Sequence, residues 1–393
     1  MLKILYVFGG EKASGAEIVV ERLMSYNQDC ESHLFISPGS FAQQLFNKLK
    51  PYHITLVSQL KKLNRTKVSS GVFYVRAIAN YFIVSFLTFK YVIKNNIDIV
   101  HANTVVPASY LLPMVIFCKL FRLKVKFVWS DHDLTYYSNL DNRLSSFCVK
   151  YYDITFVVSE AVKAKYQTND KTIVLYNGLD LGVFKPEATK RLTLRQELNL
   201  NDDDIVFTIA GGIAPRKGQL SLCEGFNTLS KKYDNVKLLI AGAKGDDNHN
   251  YTNTVLKIVN NSSKIYYLGK FADMVALYNA SDILVNNSNL KGSEPLGTTI
   301  YEAMACEKLV VATDVGGSKE IIDDEINGFL FKPDSKDALM DMLEKVAKNY
   351  YTLGDMKINA RKKAKERFDI KLMTSTYTKY INLLMGLNNK SFE

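Results

Sequence analysis

The stretch Ser293–Cys306, SEPLGTTIYEAMAC, carries two carboxylates, Glu294 and Glu302, with seven residues between them. Pro295, Leu296 and Gly297 make a turn ahead of a run that reads as helical. An acid beside a helix start is favoured by the positive end of the macrodipole. That accounts for Glu294 and less well for Glu302, a turn or more further in. The backbone N–H groups at Leu296 and Gly297, with the hydroxyls of Thr298 and Thr299, form a nest suited to an anion. Carboxylates on either side would repel a phosphate, so the two acids are better matched to hydroxyl donors such as those of a sugar or a ribose. A second stretch, AGGIAPRKGQL, turns at Gly211 and Gly212 and then sets two cations, Arg216 and Lys217, just ahead of another helical run. An adjacent Arg-Lys pair is usually surface charge, but at a helix start it opposes the macrodipole unless an anion joins it. Together the stretches suggest a ligand with phosphates and hydroxyls, which is a sugar nucleotide. A third loop, FGGEKASGAEIV, places Gly9, Gly10 and Gly15 before a helix, without the G-x-G-x-x-G spacing of a dinucleotide site.

Such loops need strands behind them and helices ahead. Leu2–Phe8, His33–Ser37, His53–Val57, Asp98–Ala102, Val125–Ser130 and Asp153–Val158 read as strands, with helices over Ala16–Tyr26, Phe73–Lys94 and Ala108–Phe121. The second half repeats the scheme with strands at Ile205–Ala210, Val236–Ala241, Ile265–Leu268, Ile283–Asn286 and Leu309–Ala312. This alternation predicts α/β architecture with parallel sheets covered on both faces. We expect two doubly wound, Rossmann-like domains, 1–185 and 186–370, facing each other across a deep cleft. The break falls in YNGLDLGVFKPEATKR, and a final helix over 371–386 packs back on the first domain.

Composition bounds the rest. The 393 residues are 47% hydrophobic and 23% charged, an ordinary globular balance. Five scattered cysteines without C-x-x-C spacing support neither a zinc site nor a disulfide framework and point to a reducing compartment. The N-terminus lacks a signal-peptide layout, and the apolar run Ala77–Phe89 is shorter than the roughly 20 residues of a bilayer span. A soluble cytoplasmic protein is therefore expected. Charge is uneven: residues 1–190 hold 23 Lys/Arg and 14 Asp/Glu, whereas residues 48–126 hold 13 basic residues and one acid, Asp98. Such a face suits an anionic membrane surface, here the inner face of the cytoplasmic membrane, or an acidic lipid-linked substrate. No nucleic-acid reader motif accompanies it.

SEPLGTTIYEAMACEKLVVATDVGGSKEIIDDEINGFLF resembles the E-x7-E signature of the family 4 retaining glycosyltransferases of the GT-B fold. VVSEAVKAKY, IVLYNGLDLGVFKP, AGGIAPRKGQ, GAEIVVERL and DIVHANT resemble further motifs of that family in the same order. The resemblance implies transfer of a sugar from a nucleoside diphosphate sugar, with UDP the commonest carrier, to a hydroxyl of a glycan or lipid-linked acceptor in bacterial surface polysaccharide or glycolipid synthesis. It implies that the second domain binds the donor and the first the acceptor. Lys217 would contact the diphosphate, Glu302 the ribose and Glu294 the transferred sugar. Leu296, Gly297 and Thr298 would hold phosphate or sugar, and Gly15 would close against the diphosphate. His132, in WSDHD, would lie near the transferred sugar as a catalytic group with Glu294 and Lys217, or be a structural histidine at a strand end, and His101 would be structural or lie on the acceptor side with Asn103. Gly212 stands where the family usually has an arginine, and Arg216 would be the neighbouring replacement. Glu307 replaces a common glycine and reads as surface variation.

With Lys217, Arg216 and helix-start N–H groups stabilising the leaving diphosphate, no metal and no cofactor are expected. Two other readings share the motifs: a sugar-nucleotide epimerase or hydrolase of the same fold, and a non-catalytic sugar-nucleotide-binding subunit, for which Gly212 is the best support. The oligomeric state has no signature in the chain.

Overall fold

Strands buried on both faces read as unbroken apolar runs, and β1 (Leu2–Phe8) shows why. Leu5 and Val7 enter one core while Ile4, Tyr6 and Phe8 enter another on the opposite face. The computed structural model describes residues 1–11, 15–47, 52–60, 71–135, 139–166, 170–245, 249–292 and 294–387, without the side chains of residues 71–77, 140 and 292. The chain divides into two units, Met1–Gly178 with Ile370–Glu393, and Leu179–Asp369.

After β1 the first unit runs α1 (Gly15–Tyr26), β2 (Cys30–Ile36), α2 (Ser40–Phe46), β3 (His53–Leu56) and α3 (Gly71–Asn95). It continues with β4 (Ile99–Asn103), α4 (Val105–Leu120), β5 (Lys126–Asp131), α5 (Asn139–Tyr151), β6 (Ile154–Val157), α6 (Glu160–Lys163) and β7 (Thr172–Val174). Its sheet has the parallel order β3-β2-β1-β4-β5-β6-β7. The second unit holds α7 (Ala188–Glu197), β8 (Ile205–Ala210), α8 (Gln219–Lys232), β9 (Val236–Ala241), α9 (His249–Asn260), β10 (Ile265–Gly269) and α10 (Met274–Ala280). Then come β11 (Ile283–Asn286), α11 (Thr298–Ala305), β12 (Leu309–Thr313), α12 (Ser318–Ile321), β13 (Phe329–Phe331), α13 (Lys336–Asn349) and α14 (Gly354–Arg367). Its parallel order is β10-β9-β8-β11-β12-β13. The last helix, α15 (Ile370–Leu384), packs Met373, Tyr377 and Ile381 into the first unit's core.

In each sheet the order reverses between the first and fourth strands, and ligands of such sheets sit beyond the strand ends at that switch. The loops after β1 and β4, and those after β8 and β11, therefore matter most. The units part after Gly178, earlier than the expected break after Lys185, because Leu179 pairs with Asp369 where the chain crosses back. The five cysteines are unpaired. No helix among the described residues is long and apolar enough to cross a membrane.

Candidate functional site

In the second unit, β8 and β11 deliver both charged stretches to the switch point. The chain leaves β8 through Gly211 and Gly212, whose carbonyls accept hydrogen bonds from Gln219 Nε2 at 3.4 and 3.0 Å. A single 3-10 turn, Pro215–Lys217, follows. Gly218 then adopts φ +66° against Asn287, whose carbonyl oxygen would lie 2.3 Å from an added Cβ, so only glycine fits. Asn287 Nδ2 donates to the Gly218 carbonyl at 2.9 Å, and the Asn289 amide donates to the Arg216 carbonyl at 3.0 Å. These bonds lock the cation loop to the loop after β11. Arg216 itself is exposed, as is Gly212.

Glu294 sits at the end of the β11 loop, 6% exposed. Its Oε2 receives Lys217 Nζ at 2.5 Å, Ser288 Oγ at 2.8 Å and Asn286 Nδ2 at 3.4 Å. Burial pushes its carboxyl pKa up, but the Lys217 charge and these three donors outweigh burial and hold it below the ordinary range. Glu294 is thus an acceptor rather than an acid. The turn Pro295–Gly297 lies on Gly317, whose added Cβ would meet the Pro295 carbonyl at 2.5 Å, and the Gly317 amide donates to the Glu294 carbonyl at 2.9 Å. Gly297, at φ +79°, opens α11, and its carbonyl accepts the Ile300 amide at 2.9 Å, ahead of which stand the amides of Thr298 and Thr299. Leu296 is buried beneath the turn, with Thr298 and Thr299 partly exposed. One turn on, Glu302 is 6% exposed and accepts Tyr278 OH at 2.9 Å.

In the first unit, β4 and β5 end on a histidine-centred group. His132 Nε2 lies 2.9 Å from Asn103 Oδ1. The amide oxygen can only accept, so Nε2 carries the proton and Nδ1 is left with a lone pair. Burial lowers the His132 pKa to about 4, against the opposing charges of Asp131 and Glu17. Asn103 Nδ2 and Thr104 Oγ1 are buried without a hydrogen-bond partner. Thr104 also holds φ 71° and ψ 167°, a strained backbone for a β-branched residue.

Of the structural and acceptor-side readings of His101, its surroundings fit the structural one. It is fully buried, with Nδ1 2.9 Å from Tyr377 OH and Nε2 2.7 Å from Ser130 Oγ, and both ring nitrogens are used inside the fold. Gly15 opens α1 with nothing within 4 Å of an added Cβ, so packing does not demand glycine there.

The structure thus gathers Lys217, Glu294, Leu296, Gly297, Thr298 and Glu302 about one strand-end crevice, with His132 and Asn103 at that of the other unit. Sequence reasoning missed Asn286, Ser288, Gln219, Gly317, Tyr278 and Thr104. The VGGSKE stretch was the available signal for Gly317. The others act only through tertiary contacts.

Residues 190–363 match the family model described as glycosyl transferases group 1, and residues 14–183 the one described as glycosyltransferase family 4. An uncharacterised glycosyltransferase of Methanocaldococcus jannaschii is 26% identical over 310 residues, 75% of this chain and 77% of the relative. The lipopolysaccharide 1,2-N-acetylglucosaminetransferase of Salmonella typhimurium is 31% identical over 196 residues, 47% of this chain and 50% of its own length. Among solved structures, Anabaena HepE in complex with UDP matches with a TM-score of 0.80 at 20% identity, over 97% of this chain and 100% of HepE. That likeness is one of fold. HepE has also been solved with UDP-glucose.

Proposed function

Since the chain belongs to the group 1 and family 4 glycosyltransferases, we propose that it moves a sugar from a nucleoside diphosphate sugar, with UDP as carrier, to a hydroxyl of a glycan or lipid-linked acceptor, retaining anomeric configuration. The observation that carries this reading is the buried Lys217–Glu294 pair at the strand-end switch, backed by Ser288 and Asn286. Each charge is held in place by the other until a ligand brings phosphates for the lysine and hydroxyls for the carboxylate. The choice of UDP is supported by HepE, a neighbour in fold whose structures contain UDP and UDP-glucose.

In the reaction the bond between the anomeric carbon and the diphosphate oxygen breaks and one to the acceptor oxygen forms. Lys217, Arg216 and the α11 amides face the charge growing on the leaving diphosphate, whose oxygen takes the acceptor proton. Glu294 accepts from hydroxyls of the transferred sugar and Glu302 from the ribose. His132, neutral at pH 7, offers Nδ1 to a sugar hydroxyl, with Asn103 fixing its ring. These groups supply the charge stabilisation without a metal, so transfer is expected to survive chelation.

Titration with UDP and transfer assays over a panel of sugar nucleotides test the assignment. Lys217→Ala loses a charge-assisted contact of about 1.5–3 kcal/mol, so UDP affinity falls roughly 10- to 100-fold. Glu302→Ala also weakens UDP, whereas Glu294→Ala spares UDP and loses transfer. Equal loss of UDP binding in folded Glu294→Ala and Glu302→Ala would refute the division of roles, and wild-type binding without turnover would favour the subunit reading.

A further inference from the structure

Toward the N-terminal ends of the first sheet's strands, away from the loops described above, β2 and β3 bring together three ligating side chains. Residues two apart on a strand share a face, so Glu31 and His33 of β2 point the same way. The parallel register sets His53 of β3 beside His33. Their imidazoles stack with centroids 4.5 Å apart and planes 17° from parallel. Glu31 Oε1 lies 2.9 Å from His33 Nε2 and 3.4 Å from His53 Nε2. One ligand atom from each residue falls within 4.8 Å of the others. Ligands around a tetrahedral zinc at 2.0–2.2 Å stand about 3.3–3.5 Å apart, so the set closes once the exposed His53 ring turns out of the stack to aim its Nε2 lone pair at the ion shared with His33.

The surroundings also suit an ion. Tyr91 OH of α3 is 2.9 Å from His33 Nδ1, the kind of outer contact that fixes the tautomer of a ligating histidine. Lys3 pairs with the other carboxylate oxygen, Oε2, at 3.5 Å, which leaves Oε1 on the histidines. His33 is buried while the His53 side chain is 58% exposed, giving an approach from solvent and space for water as a fourth ligand.

We propose that Glu31, His33 and His53 bind one divalent transition-metal ion of the zinc class, clamping the edge strand β3 to β2. Without the ion, His33 donates from Nε2 to Glu31 and accepts at Nδ1 from Tyr91. On binding, the proton moves to Nδ1, which donates to the Tyr91 oxygen, and neutral His33 loses no proton. The sequence reading expects no metal site because the third ligand comes from the next strand, and only the register reveals it.

The test uses the full-length, chelator-stripped protein titrated with zinc by calorimetry and with cobalt(II) by absorption. Variants E31Q and H53A are compared with H249A, a histidine outside the cluster. Wild type and H249A are expected to bind one ion, with tetrahedral cobalt absorption and a raised urea midpoint on adding zinc. E31Q and H53A should bind at least about tenfold more weakly and lose that absorption. His53 is largely exposed, so H53A gives up its stacking on His33 but opens no cavity in the core. Absence of binding by the wild type, or unchanged binding in H53A and E31Q, would overturn the site. Transfer by H53A should equal that of wild type. A chelator that abolishes transfer in both would instead count against the metal-free chemistry proposed above.

Discussion

Lys217 and Glu294 each leave water only because the other is there. Their side chains are 16% and 8% exposed, and burying either charge alone would be costly. A diphosphate can displace the carboxylate from the lysine without leaving a bare charge, since Ser288 and Asn286 still donate to Glu294. The histidines show the opposite device, since burial keeps them neutral. Burial lowers the His101 pKa to about 3, with the His132 charge adding to it, and burial lowers His132 to about 4. A histidine whose folded pKa lies below its unfolded value of about 6.5 gives stability that is present above that value and lost as pH falls toward the folded pKa. At pH 5 the unfolded state takes up protons that the folded state refuses, costing about 2 kcal/mol per histidine relative to pH 7. Trp129, the chain's single tryptophan, is fully buried in the first unit and reports on it. Urea unfolding followed by its fluorescence should show stability falling between pH 7 and pH 5, with His101→Gln making the drop smaller. A flat profile would mean that the histidines are not buried neutral. At this scale Lys217, Glu294 and Glu302 were legible because charge beside a glycine turn is locally anomalous. Thr104 was not, because nothing in HANT announces a positive φ.

At the scale of elements, strands with two buried faces were legible from composition, as with β1, β8, β11 and β12. β7 and β13, three residues each, are too short to show a period. The sequence reading starts α4 at Ala108, just after Pro107. The helix starts at Val105, which puts the proline in the first turn, where its missing N–H has no intrahelical partner to lose. The end of α11 is another correction. Glu307, expected to be surface variation, adopts φ 60° just past the helix, where its amide donates to Met304 O at 2.9 Å and that of Lys308 to Ala303 O at 3.1 Å. That pattern is a Schellman cap, whose left-handed position favours glycine. The left-handed backbone costs a side-chain-bearing residue about 1–2 kcal/mol, offset in part by the roughly 0.4–1 kcal/mol of unfolded-state entropy that glycine adds. Glu307→Gly should therefore stabilise the second unit by about 0.5–1 kcal/mol, read as a higher urea midpoint with unchanged slope. A lower midpoint would show that the glutamate side chain contributes a contact exceeding the backbone strain.

For the whole molecule the question is where a net charge of +10 is spent, given that residues 1–190 carry most of the excess. Of the basic stretch 48–126, Lys48, Lys50, Lys61, Lys62, Arg65 and Lys67 lie outside the described residues, as do the side chains of Phe73, Tyr74 and Arg76. Of the rest, Lys90 and Lys94 lie on α3 and Lys119 on α4, where it pairs with Asp153, while Arg122 and Lys124 follow α4 and Lys126 opens β5. Ile78, Phe82 and Phe86 recur at helical spacing and are 58%, 63% and 65% exposed, while Leu120 and Phe121 at the end of α4 are 75% and 59% exposed. Phe89 and Phe117 meet edge to face at 5.5 Å and join the two helices. Lys90 and Lys94 on α3, and Arg122 and Lys124 just past α4, are exposed too. Tyr81, by contrast, packs on Tyr110 and donates to Ser109 Oγ, so it does not belong to the face. Exposed aromatic groups and cations on and just past two helices that carry no carboxylate match an anionic lipid surface, where each nearby cation contributes about 1 kcal/mol. We therefore expect the intact protein to sediment with vesicles containing anionic lipid at low salt and to be released as salt screens the attraction over about 8–10 Å. Charge reversal at Lys90, Lys94, Arg122 and Lys124 should abolish sedimentation, whereas Phe82→Ser with Phe86→Ser should weaken it and leave its salt dependence. UDP affinity should not change in either variant, because its proposed contacts belong to the second unit. Equal sedimentation of the wild type with neutral and anionic vesicles, or none with either, would make a soluble acceptor the better reading.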